Sequence, residues 1–210
     1  WLALDDATLN RLIEMARGQN LDLAAAQAKI REARATYRQV GGALSPTLDG
    51  TGSANRSRSN GSVSSNFQAG FDASWELDLF GGKQRRVEAA AYSLDAAQED
   101  LRDTMLTLIG DIASNYVSAR GFRARIALAR RTAGSLRETE DLTRTMFQAG
   151  STSGADMANA AGQASSTEAN IPTLEVSYAQ AVHRLSVLTG QPPAALTGMI
   201  ENDAPIPTPV

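Results

Sequence analysis

A run of strictly alternating residues between Asn66 and Leu79 constrains the fold more than any other feature of this 210-residue chain. Apolar side chains occupy the odd-numbered positions from Phe67 onward, and polar side chains or glycine occupy the even-numbered positions between them. An alternation with a period of two is typical of a β-strand that has one apolar and one polar face. The pattern therefore predicts a long strand over residues 66–79.

Two environments suit such a strand. The carboxylates on its polar face, Asp72, Glu76 and Asp78, require water, whereas the aromatic side chains on the other face require lipid or a protein core. A tilted strand of about 9–11 residues can cross a bilayer, and in a transmembrane barrel the polar face lines the lumen while the apolar face contacts lipid. An amphipathic strand over a soluble core gives the same alternation, so the strand alone leaves both interpretations open.

A partner strand precedes this one. Residues 47–58 alternate more weakly, and the Asn60-Gly61 dipeptide between the two runs is a strong signal for a tight β-hairpin turn. Ser45-Pro46 ends the helical pattern that comes before. The sequence thus predicts an antiparallel hairpin.

A very long helix follows the hairpin. The stretch from Lys83 to Gln148 contains no proline and almost no glycine, and 14 of 18 positions spaced alternately by four and three residues from Val87 are apolar. A heptad pattern of this length predicts one continuous helix with a coiled-coil-like partner. Some 65 residues at 1.5 Å each reach about 100 Å, which exceeds the width of a compact domain of this size, so we expect an elongated object. The polar exceptions in the pattern are Gln98, Asn115, Glu140 and Thr143.

Two helices are predicted before the hairpin. Asp5 and Asp6 precede a short apolar-periodic run that Gly18 is expected to end, and Asn20 is expected to cap the second helix. The apolar positions of that second helix repeat with spacings of three and four, and they are Leu23, Ala26, Ile30, Ala33, Tyr37, Val40 and Leu44.

One more helix is predicted after the long one. Residues 149–152 interrupt the pattern, and Ser153 with Asp156 resembles a capping box in which Asp replaces the usual Glu or Gln. The helix continues to Gly190, and Pro172 inside it predicts either a kink or a boundary between two stacked segments.

Composition argues against several functions. The net charge of −3 and the lack of a basic run with interleaved aromatics give no support for nucleic-acid binding. Cysteine is absent, His183 is the sole histidine, and no nucleophile–base pair or phosphate-binding loop is visible, so we expect no catalysis, no metal and no cofactor. No apolar run is long enough for a transmembrane helix.

The combined pattern is mainly α with one β-hairpin, in which long antiparallel coiled-coil-like helices carry the hairpin at one end. A single hairpin cannot span lipid, because its edge backbone groups would lack hydrogen-bond partners. Several copies or repeats are therefore needed to close a transmembrane β-barrel.

The stretch Ser74-Trp75-Glu76-Leu77-Asp78-Leu79-Phe80-Gly81-Gly82, followed by Arg85-Arg86, resembles the strand-to-helix junction of TolC-type outer-membrane efflux factors, in particular the lipoproteins that serve resistance-nodulation-division pumps. Four more stretches are similar to this family in the same order along the chain. They are Leu9 to Ile13 with Asn20 to Leu23, Leu44-Ser45-Pro46, Phe147 to Gly150 with Ser153 and Asp156, and Ile171 to Glu175 with Leu188 to Pro192.

The resemblance implies a homotrimeric conduit across the periplasm and outer membrane of a Gram-negative bacterium. Each subunit of this family carries two such repeats, so that three subunits close a 12-stranded barrel over a 12-helix tunnel. We expect this chain to hold the first repeat, without the lipid-bearing cysteine and the second repeat. The implied partners are a periplasmic adaptor (membrane fusion) protein, an inner-membrane pump and outer-membrane lipid.

The resemblance and the alternation together give the candidate residues. Phe67, Phe71, Trp75 and Leu77 are expected to face the membrane, with Trp75 in an interfacial aromatic belt. Asp72, Glu76 and Asp78 are expected to face the lumen. The adaptor is expected to dock at Phe147, Ala149, Gly150, Ser153 and Asp156. Met146 replaces the arginine that this family usually carries four residues before the glycine.

The predicted organisation has five parts: residues 1–44 form a short helix and an ascending helix, 45–82 the barrel hairpin, 83–148 the descending helix, 149–190 the turn and returning helix, and 191–210 a proline-rich linker.

The predicted function is a passive exit duct for small molecules in a tripartite efflux system. The alternative is a soluble helical-hairpin adaptor or scaffold, which predicts that helices cover Phe67, Phe71 and Leu77.

Overall fold

The computed structural model describes residues 6–193 and 195–200. These residues belong to two compact units, one combining the chain up to Ala24 with the chain from Asp103 onward, and the other holding Ala25–Arg102. The predictions at Asp5 and in the proline-rich stretch after Ile200 lie outside the described residues.

Five helices and two strands occur in the described part of the chain. In order they are α1 (Ala7–Gln19), α2 (Leu21–Gly42), β1 (Thr47–Ser59), β2 (Ser62–Ser74), α3 (Gly82–Gln148), α4 (Gly154–Leu188) and α5 (Thr197–Ile200). None of the helices in this part is long and apolar enough to cross a bilayer.

The predicted hairpin is confirmed. β1 and β2 pair in antiparallel fashion from Thr47↔Ser74 to Ser59↔Ser62. Asn60 has φ 50° and Gly61 has φ 84°, so both central residues of the turn occupy the left-handed region that a two-residue hairpin of type I′ requires.

The prediction that the second strand reaches Leu79 is wrong, because β2 ends at Ser74. Thr47 is the first residue of β1 and pairs with Ser74, so the residues after Ser74 have no partner strand. They turn instead through bonds from the Leu79 N–H to the Leu77 carbonyl (3.1 Å) and from the Gly81 N–H to the Asp78 carbonyl (3.4 Å). The alternation of side chains continues past the strand, but the pairing does not.

Helix α2 is shorter than its apolar pattern. It ends at Gly42, and the Leu44 N–H then donates to the Gly41 carbonyl at 3.1 Å in a tighter turn. Leu23 and Ala26 are buried as predicted, but Tyr37 and Leu44 are exposed, so the predicted apolar face does not extend over its whole length.

Helix α3 confirms the long uninterrupted pattern, since it runs for 67 residues without a break. Its buried positions repeat with heptad spacing through Ile112, Ala119, Ile126, Ala133 and Glu140. Glu140 is one of the four polar exceptions in the sequence pattern, and the structure nevertheless buries it.

Helix α4 runs antiparallel to the part of α3 that follows Asp103. Arg184 pairs with Asp111 at 3.5 Å and Arg130 with Glu175 at 2.6 Å, so residues later in α4 meet residues earlier in α3. Pro172 lies inside a single continuous helix, so the alternative of two separate segments is wrong.

The largest core lies in the unit that contains α1, α3 from Asp103 onward, α4 and α5. Leu9, Leu12 and Ile13 of α1 are fully buried, as are Ile112, Tyr116, Leu185 and Ile200 from the other helices and Leu196 just before α5. The Tyr116 hydroxyl donates to Asp6 Oδ2 at 2.8 Å, and Arg120 Nε donates to that hydroxyl at 3.0 Å. Burial raises the pKa of Tyr116.

Asn20 joins three helix ends in this unit. Helix α1 passes Gly18, which was expected to end it, and stops at Gln19. Asn20 Oδ1 accepts from the N–H groups of Asp22 (2.9 Å) and Leu23 (3.0 Å), which confirms the predicted cap of α2, while its Nδ2 donates to the Leu188 carbonyl at 2.9 Å. One buried side chain thereby satisfies orphan backbone groups of both α2 and α4.

Candidate functional site

The register of the hairpin separates its two faces by chemistry. One face pairs Leu48 with Ala73, Gly50 with Phe71, Gly52 with Ala69 and Ala54 with Phe67, and toward the turn it continues with Arg56, Ser65, Arg58 and Val63. The other face contains only polar residues and one glycine, among them the directly opposed pair Asp49↔Asp72. The weak alternation of β1 is therefore completed by β2, and the hairpin has an apolar band on one side only.

Nothing in the described chain covers that apolar band. Phe67 is 79% exposed, Phe71 is 86% exposed, and every residue of β1 and β2 is exposed. The Phe71 ring lies beside Gly50, where its Cε1 would be 3.5 Å from an added Cβ. The scaffold alternative predicted that helices cover Phe67, Phe71 and Leu77, and that prediction is wrong.

Trp75 and Leu77 lie just beyond the strand, in the segment that joins β2 to α3. The Trp75 indole Nε1 donates to the Leu44 carbonyl at 3.1 Å, which fixes the ring at the base of the hairpin. The ring remains 58% exposed despite this bond. The structure therefore places two of the four predicted membrane-facing residues in a junction and the other two, Phe67 and Phe71, in the strand.

The predicted lumen-facing carboxylates are also separated. Asp72 lies on the polar face of β2, whereas Glu76 and Asp78 contact the first turn of α3. Lys83 Nζ lies 2.9 Å from Glu76 Oε2 and donates to the Glu76 carbonyl at 3.2 Å, and Asp78 Oδ2 accepts from the Gln84 N–H at 2.8 Å. Glu76 and Asp78 thus hold the junction on the start of α3, a role that the alternation did not indicate.

The turn between α3 and α4 closes both helices with local hydrogen bonds. The Ser151 N–H donates to the Met146 carbonyl at 2.8 Å and the Gly150 N–H to the Phe147 carbonyl at 2.9 Å. With φ 74° at Gly150, this is the Schellman arrangement, in which the residue after the helix adopts a left-handed conformation that favours glycine.

The predicted capping box at the start of α4 is confirmed. Asp156 N–H donates to Ser153 Oγ at 3.1 Å, and Ser153 N–H donates to Asp156 Oδ2 at 3.2 Å. The Ser153 and Thr152 hydroxyls also donate to Asp156 Oδ2, at 2.6 and 3.0 Å. These hydrogen bonds, led by that from the Ser153 hydroxyl, lower the pKa of Asp156.

The five residues predicted for adaptor docking therefore lie together in this turn, but two of them have a local role. Ser153 and Asp156 cap α4. The Phe147 ring is partly exposed and lies against Gly154, where its Cε2 would be 3.5 Å from an added Cβ.

Farther along the same helix pair, a groove of about 470 Å³ is lined by Leu136 and by small or polar residues of α4: Ala158, Asn159, Gly162, Gln163, Ser166 and Thr167.

An ion-pair network near this turn was not recognised from the sequence. Glu140 is 4% exposed, and it pairs with Arg137 at 2.6 Å and with Arg144 at 2.5 Å. Arg137 also binds Glu168 of α4 through two hydrogen bonds, one of them 2.7 Å long. The spacing of Arg137, Glu140 and Arg144 by three and four residues is the signal that could have identified the network.

Charge pairing shifts the ionisation of this network. Hydrogen bonds from Arg137 lower the pKa of Glu168, and those to Glu168 and Glu140 raise the pKa of Arg137. Arg144, the arginine closest before Gly150, is engaged by Glu140 and by Asp141.

No group of three metal-ligating side chains converges within residues 6–193 and 195–200. His183 is exposed on α4. The candidate functional features described above are surfaces: the two faces of the hairpin, the junction after β2 and the α3–α4 turn.

Known proteins share this arrangement. The chain is 35% identical to nodulation protein T of Rhizobium leguminosarum bv. trifolii over 202 residues, which is 93% of the chain and 43% of the relative. It is 29% identical to the pyoverdine export outer membrane protein OpmQ of Pseudomonas aeruginosa over 93% of the chain and 44% of the relative. The chain thus spans less than half the length of these curated relatives.

A solved structure of the outer-membrane channel OprN superimposes with a TM-score of 0.89 at 29% identity, covering 100% of this chain and 48% of that one. The family model described as outer membrane efflux protein matches residues 12–191, which include the hairpin, the junction and the α3–α4 turn. The chain belongs to the outer membrane efflux protein family.

Proposed function

We propose that this chain forms part of a subunit of an outer-membrane efflux channel, a passive exit duct for small molecules. The observation that carries the proposal is the hairpin with one apolar face and one polar face and no protein cover over either. An exposed apolar sheet face of this kind is unfavourable in water and is matched by lipid. The names of the relatives, a pyoverdine export protein and an outer-membrane channel, support the same function.

The hairpin requires further strands to function in a membrane. In the described part of the chain the sheet has only these two strands, so the outer edge of each presents backbone N–H and carbonyl groups that no third strand pairs. Lipid does not tolerate such edges, so closure into a barrel is needed. We propose a homotrimer in which strands of this hairpin contribute to one barrel, with Phe67 and Phe71 facing lipid and Asp72 and Asp49 facing the water-filled lumen.

A periplasmic adaptor protein is the proposed partner at the α3–α4 turn, and an inner-membrane pump is the proposed source of energy. The support is geometric: the turn is compact, Ala149 and Gly150 allow close approach, and Phe147 is partly exposed for contact. Because Arg144 is engaged by Glu140 and Asp141, we propose that contact depends on apolar and small side chains more than on this charge.

Conductance of the protein that carries this chain tests the proposal. Purified oligomers inserted into planar bilayers are expected to give stepwise ion currents, because the polar faces would enclose water. Well-folded oligomers that insert without any current would contradict the proposed duct.

Ion selectivity tests the proposed direction of the polar face. Replacing both opposed carboxylates (Asp49→Asn with Asp72→Asn) is expected to lower the preference for cations in the reversal potential, because lining charge biases the ions that enter a pore. Thr51→Ser on the same face leaves both carboxylates, and so the lining charge, unaltered, and it is expected to leave selectivity unchanged. An identical reversal potential for the two variants would place these carboxylates away from the lumen.

A further inference from the structure

In the junction between β2 and α3, the polar side chains contact the protein and the apolar side chains are exposed. Glu76 and Asp78 bind the start of α3, while the alternate residues Trp75, Leu77 and Leu79 project into solvent. Leu79 is 80% exposed and Phe80 is 96% exposed. Polar contacts therefore hold this segment so that a cluster of apolar side chains faces outward, in a chain with only 5% aromatic residues.

Two arginines follow this apolar cluster after four intervening residues. Arg85 and Arg86 lie in the first turns of α3 and are exposed. Neither forms an ion pair with another residue in the described part of the chain, whereas the neighbouring Lys83 is paired with Glu76. Exposed aromatic and aliphatic side chains beside unpaired arginines are the combination that binds the interface of a membrane with anionic lipids.

The length of β2 supports a position of this segment at the membrane surface. A tilted strand crosses the bilayer with about 9–11 residues, and counted back from Ser74, the last residue of β2, these begin at positions 64 to 66, just before Phe67. With this crossing, Trp75 would lie at the boundary of the hydrocarbon, and Leu79 to Arg86 would lie at the level of the lipid headgroups.

We infer that residues 75–86 form a phospholipid-binding anchor, in which Leu79 and Phe80 enter the lipid interface and Arg85 and Arg86 bind anionic headgroup phosphates. This inference rests on the proposed membrane function. It adds a specific preference for acidic phospholipid, for which the apolar face of the hairpin alone gives no reason.

Depth measurement tests the apolar half of the anchor. A bimane label is attached through Phe80→Cys in the whole protein, with Val187→Cys of α4 as an exposed control, and each is reconstituted in vesicles whose lipid carries a nitroxide at the headgroup. We expect at least about threefold stronger lipid quenching at position 80 than at 187. Equal quenching overturns the inference, and a label shielded from both lipid and aqueous quenchers would indicate contact with a second copy instead.

Lipid preference tests the basic half. Retention of phosphatidylglycerol relative to phosphatidylcholine by the delipidated protein is measured by native mass spectrometry. Arg85→Gln with Arg86→Gln is expected to reduce this preference about fivefold for each charge removed, whereas Arg31→Gln with Arg34→Gln on α2 removes the same charge and is expected to change it little. An unchanged preference in the first pair overturns the inference.

Conductance separates the two hypotheses. If the double arginine variant loses the lipid preference but still conducts, the result supports the anchor. If the unaltered protein conducts but shows no lipid preference, the anchor is overturned and the proposed channel function stands. If the double arginine variant fails to assemble, Arg85→Lys with Arg86→Lys restores charge and is expected to restore both assembly and preference.

Discussion

The hairpin and the α1–α3–α4 core are stabilised in different ways. The core buries Leu9, Ile112 and Leu185 completely, and Asn20 and Tyr116 form hydrogen bonds inside it. The hairpin buries no side chain and is held by its ladder of backbone bonds and by contacts such as the 2.8 Å bond between the Thr47 and Ser74 hydroxyls. A region with its own core can fold in water, whereas one with an uncovered apolar face depends on lipid and on neighbouring strands.

The largest effect is expected from a substitution that destabilises the core and leaves the hairpin unchanged. Ile112→Ala is expected to lower the free energy of unfolding by about 2–5 kcal/mol, because it leaves a cavity in a fully buried site. Phe71→Ala, at an exposed position, is expected to change it by about 0.5 kcal/mol or less in detergent. Helix loss followed by circular dichroism in urea measures both, and equal effects would contradict the distinction.

The second prediction affects the hairpin and spares the core. Phe71→Lys places a charge near the middle of the apolar band and is expected to cost about 2–4 kcal/mol for insertion, so that folded oligomer is lost from the outer membrane. Gln68→Lys carries the same charge on the polar face and is expected to assemble normally. The yield of heat-modifiable oligomer in membrane fractions measures the difference.

A third prediction concerns charge inside the helix pair. Glu140→Gln is expected to lower the unfolding free energy by about 1–3 kcal/mol, because two guanidinium groups lose their buried partner. Glu138→Gln, two residues away at an exposed position of the same helix, is expected to have little effect. If both variants unfold at the same urea concentration, the Glu140 network does not stabilise α3 and α4.

The smallest expected effect is at the start of α4. Ser153→Ala removes the cap and is expected to cost about 1 kcal/mol. Because the folded pKa of Asp156 lies below its unfolded value, its contribution is complete above the ordinary Asp pKa and disappears as pH falls through the folded pKa. Thermal midpoints of the wild type and Asp156→Ala should therefore differ at pH 7 and converge at acidic pH.

Periodicity and local signals predicted most of the elements. Asn60-Gly61, the heptad pattern of α3 and the Ser153–Asp156 capping box each depend on residues close in sequence, and each is present in the structure. The end of β2 was mispredicted because strand length depends on the partner strand, and alternation within one segment carries no information about where that partner begins.

The roles of Glu76, Asp78 and Glu140 were missed for a related reason. Each is polar, and its position in an alternating or heptad pattern indicates only which face it occupies. Its actual partner lies one helix turn away in the case of Glu140, and across the junction in the case of Glu76 and Asp78. Charge spacing considered together with periodicity would have suggested the contacts of Glu140 with Arg137 and Arg144.

The α3–α4 turn has a further consequence for any protein that docks on it. Five residues, Ala149 to Ser153, separate the helices, and hydrogen bonds from Gly150, Ser151, Ser153 and Asp156 leave the backbone there little conformational freedom. A docking partner would meet a surface that is already ordered, so its binding would lose little free energy to loop immobilisation. Shape at this turn, more than adaptation, would then decide which partner fits.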